Sequence, residues 1–268
     1  MTHTKTPTRG AAAIADAFRT AKGEGRCALV AYLTLGYPNL EATPALVAAI
    51  EAGGADIIEL GVPFSDPLAD GPTIQAASYA ALEAGATPGV CLALTARLRR
   101  EGVTAPLILM GYYNPILSHG EDAYARDAAA AGADGLIVPD LPPEEGVALQ
   151  AACAAHGLAL IYLVAPNSSE ERIAAIADAS EGFVYVVSRL GTTGEGQGPG
   201  EALAAQVEVV RRHAHTPVAA GFGISRPEQA REVARIVDGA IVGSAIVARA
   251  PEGPEAVREF VASLRAAM

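Results

Sequence analysis

At 268 residues the chain is long enough to bury the core of one large domain, and with 51% apolar and 18% charged residues it is a globular composition. Lys and Arg number 19 against 30 acidic residues, a formal charge of −11. That balance argues against nucleic acid or an anionic membrane as a partner, because both require basic patches.

The first ten residues are poor in apolar side chains and read as a loose tail, leaving 11–268 as the folded domain. Ala11–Ile14 is too short to be the apolar core of a secretion signal and Asp16 interrupts it, so a cytoplasmic chain is expected. Cys27, Cys91 and Cys153 form no CxxC pair and read as small buried hydrophobes in a reducing compartment. A helix is expected before the first strand. Eight short apolar runs then follow in order: Ala28–Leu33, Ile57–Leu60, Leu107–Met110, Gly135–Val138, Leu158–Val164, Phe183–Val187, Val218–Ala220 and Ala240–Val242. They are continuous rather than alternating, as strands covered on both faces should be. Leu158–Ala165 and Ala240–Ala248 are far too short to span a membrane.

Helical spacing fills the intervals. Ile173 and Ile176, then Val233, Ile236 and Val237, then Val257, Phe260, Val261 and Leu264 recur at three and four residues. Gly53, Gly132 and Gly157 are placed for left-handed helix caps. Asn167-Ser168-Ser169 matches a glycosylation sequon, but Ser168 with Glu171 reads better as the capping box of a helix start. Ala-Gly-Gly-Ala-Asp at 52–56, Ala-Gly-Ala-Asp at 131–134 and Val237-Asp238-Gly239 repeat one unit: helix end, tight turn, buried strand. Eight βα units favour a closed (β/α)8 TIM barrel over an open sheet, with long loops after the second and sixth predicted strands.

In such barrels the active site lies at the strand ends, and phosphates bind after the last two strands. Those ends here are Ala220-Gly221-Phe222-Gly223-Ile224-Ser225 and Val242-Gly243-Ser244-Ala245. Glycine admits an anion to the backbone, and Ser244 can open a short helix whose N–H groups face it. Neither GxGxxG nor a P-loop follows a strand. Lysine occurs only at Lys5 and Lys22, before the first strand, which excludes a Schiff-base aldolase. No histidine falls at a predicted strand end, and His213-x-His215 closes a helix, so no His-bound metal is expected.

Carboxylates and phenols remain. Alternation puts Ile57, Glu59 and Gly61 on one face of the second strand, and a carboxyl among apolar strands is costly unless paired or functional. Desolvation would raise its pKa toward the range where one group both donates and accepts a proton, whereas pairing with a residue such as Arg189 is the structural alternative. In the loop after it, Asp66 and Asp70 read equally well as turn residues. The loop after the sixth strand holds five glycines from Gly191 to Gly200 and reads as a lid over the site or as a surface excursion.

The fourteen residues Glu59-Leu60-Gly61-Val62-Pro63-Phe64-Ser65-Asp66-Pro67-Leu68-Ala69-Asp70-Gly71-Pro72 resemble the signature of tryptophan synthase α subunits. Leu109-Met110, Tyr112-Tyr113-Asn114-Pro115, Val138-Pro139-Asp140-Leu141-Pro142, Gly221-Phe222-Gly223-Ile224-Ser225 and Gly243-Ser244-Ala245-Ile246-Val247 extend the likeness from about Ala12 to the C-terminus. The resemblance implies a lyase that cleaves indole-3-glycerol phosphate to indole and D-glyceraldehyde 3-phosphate in L-tryptophan biosynthesis. It implies no cofactor on this chain, and an α2β2 complex with a β subunit that carries pyridoxal phosphate (PLP). By the same resemblance Glu59 is the general acid–base, Asp70 holds the indole N–H and Tyr185 assists. Thr193 links the lid to Asp70, and Gly194, Gly223, Gly243 and Ser244 hold the phosphate. Tyr32, Tyr112 and Phe222 line the pocket, while Pro63, Asp66 and Asn114 face the β subunit.

Some residues depart from the family pattern: Thr192 stands where Val is usual, Glu195 where a small residue is usual, and Arg235-Ile236-Val237-Asp238 lacks a helix-ending glycine. Two rivals remain at this stage. One is another phosphate-binding barrel of biosynthesis, disfavoured for the ring-closing indole-glycerol-phosphate synthase because no strand-end lysine exists. The other is a barrel that mainly activates its β partner, disfavoured by the Glu59–Asp70 pair.

Overall fold

The computed structural model describes residues 9–187, 199–221 and 223–268. Among them lie nine strands: β1 (Ala28–Thr34), β2 (Ile57–Gly61), β3 (Leu107–Met110), β4 (Gly135–Ile137), β5 (Ala159–Ile161), β6 (Leu163–Val164), β7 (Val184–Val187), β8 (Val218–Gly221) and β9 (Gly239–Val242). Every pairing is parallel, in the order β5-β4-β3-β2-β1-β9-β8-β7-β6. The two ends of this order, β5 and β6, are separated in sequence only by Tyr162. One predicted strand is therefore divided there, its first half pairing with β4 and its second with β7. The chain itself closes the sheet, and the result is a TIM barrel.

Alternation along each strand sorts the core into two layers. Leu29, Ala31, Ile58, Leu60, Leu109, Leu136 and Val186 face outward into the large cluster shared with the helices. Val30, Ile57, Ile108, Ile137, Ile161, Phe183 and Ile241 face the barrel axis. Helix α1 (Ala11–Gly23) lies across the N-terminal end of the barrel and inserts Ile14 and Phe18 into that inner cluster. Phe18 meets Phe183 with ring centroids 5.6 Å apart. The floor of the barrel is thus sealed by hydrocarbon, and chemistry is left to the opposite end.

The sequence repeat has a physical basis. Asp56, Asp134 and Asp238 each precede a strand and clasp the strand beside it. Their N–H groups donate to the carbonyls of Leu29, Leu107 and Val218. Their carboxylates accept from the N–H groups of the same three residues. Each also meets an arginine: Arg26, Arg99 and Arg211 respectively. Asp134 is fully buried, and its second oxygen accepts the N–H of Gly10, which ties down the start of α1.

The outer ring contains α2 (Thr43–Ala52), α3 (Pro72–Glu83), α4 (Pro88–Arg100), α5 (Tyr113–His119), α6 (Glu121–Ala131) and α7 (Val147–Ala155). It continues with α8 (Glu170–Ala179), α9 (Pro199–His213), α10 (Pro227–Ala234), the short α11 (Ser244–Arg249) and α12 (Pro254–Ala267). Val257, Phe260, Val261 and Leu264 are the buried face of α12, and Ile173 and Ile176 that of α8.

Local boundaries differ from the sequence expectation in three places. The cap of α8 is Ser169, which accepts from the Arg172 N–H, while Ser168 accepts from the Ala165 N–H in the preceding turn. Gly132 and Gly157 adopt positive φ, but Gly53 stays helical and Gly54, at φ 95°, makes the turn. Helix α10 stops at Ala234, so Ile236 and Val237 extend the apolar spacing beyond it. Among the described residues no helix is long and apolar enough to cross a membrane.

Candidate active site

The C-terminal ends of the strands enclose a cavity of about 370 Å³. Tyr32 of β1, Glu59 of β2, Met110 of β3, Leu163 of β6, Tyr185 of β7 and Gly221 of β8 line it. Asp70, Gly71 and Ile74 enter from the loop and helix after β2, while Gly223, Gly243 and Ser244 form the opposite wall.

Glu59 points to the axis one pleat above Ile57, in register with Tyr32 on one side and Ile108 on the other. It is completely buried, and neither carboxylate oxygen has a hydrogen-bond partner among the described residues. An ionised carboxylate here has lost its water and gained nothing in return, so burial pushes the Glu59 carboxyl up to about 8. At neutral pH burial keeps it protonated, with a proton to give to the cavity it lines. Arg189 lies outside the described residues, as do Thr193, Gly194, Phe222, Thr192 and Glu195.

Asp70 is the contrasting carboxyl. It is half-buried at the rim, and burial raises its pKa while a hydrogen bond from the Tyr112 hydroxyl (3.1 Å) opposes the rise. The same hydroxyl accepts the Ala69 N–H at 2.9 Å, and the ring stacks on Phe64. Tyr112 does not border the cavity; it stands behind Asp70 and fixes its orientation. Gln75 adds a second restraint, donating to the Asp70 carbonyl at 2.8 Å. Tyr112→Phe is expected to lower kcat/KM by about tenfold, the worth of one hydrogen bond to a charged group. Its acidic limb shifts to higher pH, since the bond that favours ionised Asp70 is gone; a pH–rate profile reads both effects.

Two tyrosines flank Glu59. The Tyr32 hydroxyl accepts from Thr34 at 3.4 Å and lies over Gly61, where a Cβ would come within 2.0 Å of it. The Tyr185 hydroxyl lies likewise over Gly221, 2.4 Å from where a Cβ would be. A methyl at either position would displace the phenol above it. Burial first and the Glu59 charge second raise the Tyr185 hydroxyl far above its ordinary range, so it is a neutral donor.

At the far wall Gly243 precedes α11 and Ser244 is its first residue. Among the described residues no side chain caps this helix, which leaves its leading N–H groups open to an anion. Gly223, after β8, is exposed beside it.

Pro63, Asp66 and Asn114 lie away from the cavity. Pro63 is buried and borders a surface depression with Phe64, Pro115 and His119, while Asp66 and Asn114 are exposed. Around them Leu68, Tyr79 and Leu117 are exposed at 93%, 65% and 54%.

Several lining residues escaped the sequence reading. Met110, Leu163 and Val187 are inward positions at strand ends, which alternation alone could have supplied. Ile74 and Pro139 carry no such local signal.

Residues 18–267 match the family model described as tryptophan synthase alpha chain. The chain belongs to the tryptophan synthase α chain family. The tryptophan synthase alpha chain of Roseiflexus sp. (strain RS-1) is 50% identical over 257 residues, covering 94% of this chain and 98% of that one. The tryptophan synthase of Saccharomyces cerevisiae is 46% identical over 246 residues, covering 91% of this chain but 35% of that longer protein. A chain of tryptophan synthase from M. tuberculosis superposes with a TM-score of 0.87 at 40% identity, covering 95% of this chain and 97% of its own. As an α chain of tryptophan synthase, the protein is a lyase of tryptophan biosynthesis and carries no cofactor of its own.

Proposed function

We propose that the cavity cleaves indole-3-glycerol phosphate by a retro-aldol reaction, with Glu59 and Asp70 as its acid–base and orienting groups. The observation that carries this reading is the neutral Glu59 carboxyl, fully buried and unpartnered among the described residues, facing a cavity rimmed by a second, hydrogen-bonded carboxyl.

The chemistry follows from that pair. Cleavage of a carbon–carbon bond beside a hydroxyl needs an electron acceptor, and among the described residues no lysine lines the cavity to form an imine. The indole ring can accept instead. Proton transfer from Glu59 to C3 of the ring generates an indoleninium cation, and the Asp70 carboxylate stabilises it through the ring N–H. The bond from C3 to the side-chain carbon then breaks, its electron pair restoring the aromatic ring. The hydroxyl on that carbon becomes the aldehyde carbonyl of glyceraldehyde 3-phosphate and surrenders its proton to the Glu59 carboxylate, which is thereby reset. The phosphate is held by the backbone around Gly223, Gly243 and Ser244, and the family resemblance adds Gly194 to the phosphate site and Thr193 and Phe222 to the substrate site.

Ser244→Asp places a negative charge where the phosphate binds. It is expected to raise KM by about 10²-fold through like-charge repulsion with a smaller change in kcat, measured by initial rates over a substrate series.

The exposed apolar residues Leu68, Tyr79 and Leu117, together with Pro63, Asp66 and Asn114, are read as the surface for a PLP-dependent β subunit in an α2β2 complex. The deciding experiment incubates the chain with indole-3-glycerol phosphate, with and without a tryptophan synthase β subunit, and follows indole. Indole released by the chain alone is the expected result. No indole alone, with stimulation of the β reaction intact, would favour a barrel that only activates its partner.

A further inference from the structure

We propose that the N-terminal end of the barrel holds a second site, a cationic groove for a small organic anion with an apolar body. The groove has a volume of about 800 Å³ and lies beside the residues that precede β1, β8 and β9, at the opposite end of the barrel from Glu59.

Charge is the first observation. The chain as a whole carries −11, yet five of the fifteen residues lining this groove carry cationic side chains and one, Asp238, an acidic one, while Met268, the last residue, also lines it. Some of that charge is already matched. Arg19 meets Asp16, Arg26 meets Asp56 and Glu24, and Asp238 meets Arg211. Lys22, Arg231 and Arg235 have no ion-pair partner among the described residues. The segment before Arg9 brings them none, since it contains Lys5 and His3 but no acid.

Position is the second. Lys22 is in the last turn of α1, Arg231 in the last turn of α10, and Arg235 caps α10. A cation at a helix C-terminus is ordinary taken singly. Here two helices from distant parts of the chain direct their terminal cations to one concavity. Phe18, Cys27 and Val237, all buried, form its apolar base. Like charges gathered around an apolar concavity focus a positive potential, and an anion relieves their repulsion. An apolar base with convergent polar groups is the usual form of a small-molecule pocket. The overall negative charge makes nucleic acid a poor occupant, so a compact aromatic or aliphatic anion is the class that fits.

Calorimetric titration of the full chain at low salt tests this with 1-naphthalenesulfonate as probe. The controls are 1-naphthylmethylammonium, with the same ring and opposite charge, and pyrophosphate, an anion without an apolar body. The comparison protein is the triple variant Lys22→Gln, Arg231→Gln, Arg235→Gln, which alters three exposed side chains and should melt as the parent does. The sulfonate is expected to bind the parent about tenfold or more tightly than the variant, the difference expected from losing contacts to charged groups. That binding should weaken with added salt, while indole release is equal in both proteins. Equal sulfonate affinity in the variant, equal binding of the ammonium compound, tighter binding of pyrophosphate, or no binding would each overturn the proposal.

Discussion

Glu59→Gln is expected to lower the rate of indole release by about 10²–10⁴-fold, the range for loss of a positioned acid–base group, without loss of fold. The same substitution should stabilise the protein at alkaline pH relative to the parent. In the folded chain the carboxyl titrates at about 8 rather than 4.5, because burial penalises its charged form. A raised folded-state pKa means that the native state binds the proton more tightly than the unfolded chain. The parent therefore loses stability as pH climbs from about 4.5 to about 8, by about 5 kcal/mol in all, and loses no more above that. Gln cannot ionise, so the variant escapes that loss. The gap between the two melting temperatures should open between pH 5 and 8 and then stay constant. Parent activity should decline as pH passes through the same upper value, since the donor form is titrated away. A variant with parental turnover, or a melting-temperature gap independent of pH, would remove Glu59 from the proposed role.

The second large effect lies at the other end of the barrel and should leave chemistry untouched. Asp134→Ala removes the acceptor for the Gly10 and Leu107 N–H groups and the carboxylate partner of the Arg99 guanidinium, which is itself 9% exposed and keeps only its bonds to the carbonyls of Gly132, Val103 and Ala105. Breaking a buried ion pair from one side costs about 3–5 kcal/mol, which for a chain of this size is a fall in Tm of about 10 °C. Turnover per folded molecule should remain parental, because Asp134 precedes β4 while Glu59 faces the opposite opening. Asp134→Asn, which keeps an acceptor for one N–H group, should recover part of the loss. A melting temperature within a degree or two of the parent would show that the clasp is ornamental to stability.

These two acids differ in how far the sequence reveals them. Glu59 was conspicuous because a lone carboxyl in Ile57-Ile58-Glu59-Leu60 violates the apolar pattern around it, and alternation gave its direction. Asp134 was visible only as part of a repeat. Its partner Arg99 is 35 residues away, and no local pattern reveals that pairing. Tyr112 illustrates the same limit. Its place behind Asp70 depends on a contact across 42 residues, whereas the Tyr-Tyr-Asn-Pro motif shows only that it follows β3. The eight apolar runs located every strand, since parallel strands buried on both faces have little else to be. The division at Tyr162 was not legible, because one residue leaving the ladder does not change hydropathy. Ser168 and Ser169 are chemically equivalent caps, and only the chain path selects the second.

The groove at the barrel floor was illegible for a related reason. Lys22 and Arg235 are separated by most of the sequence and come to line one groove only in the folded barrel. Conversely, Gly61 and Gly221 look like ordinary strand-end glycines until the Tyr32 and Tyr185 hydroxyls are placed over them.

The central physical claim is that the barrel keeps one carboxyl neutral at physiological pH. A carbon-13 NMR titration of glutamate-labelled protein tests it directly, with the Glu59 resonance assigned by its absence from Glu59→Gln. The expected midpoint is about 8. A midpoint at the ordinary glutamate value of about 4.3 would contradict it.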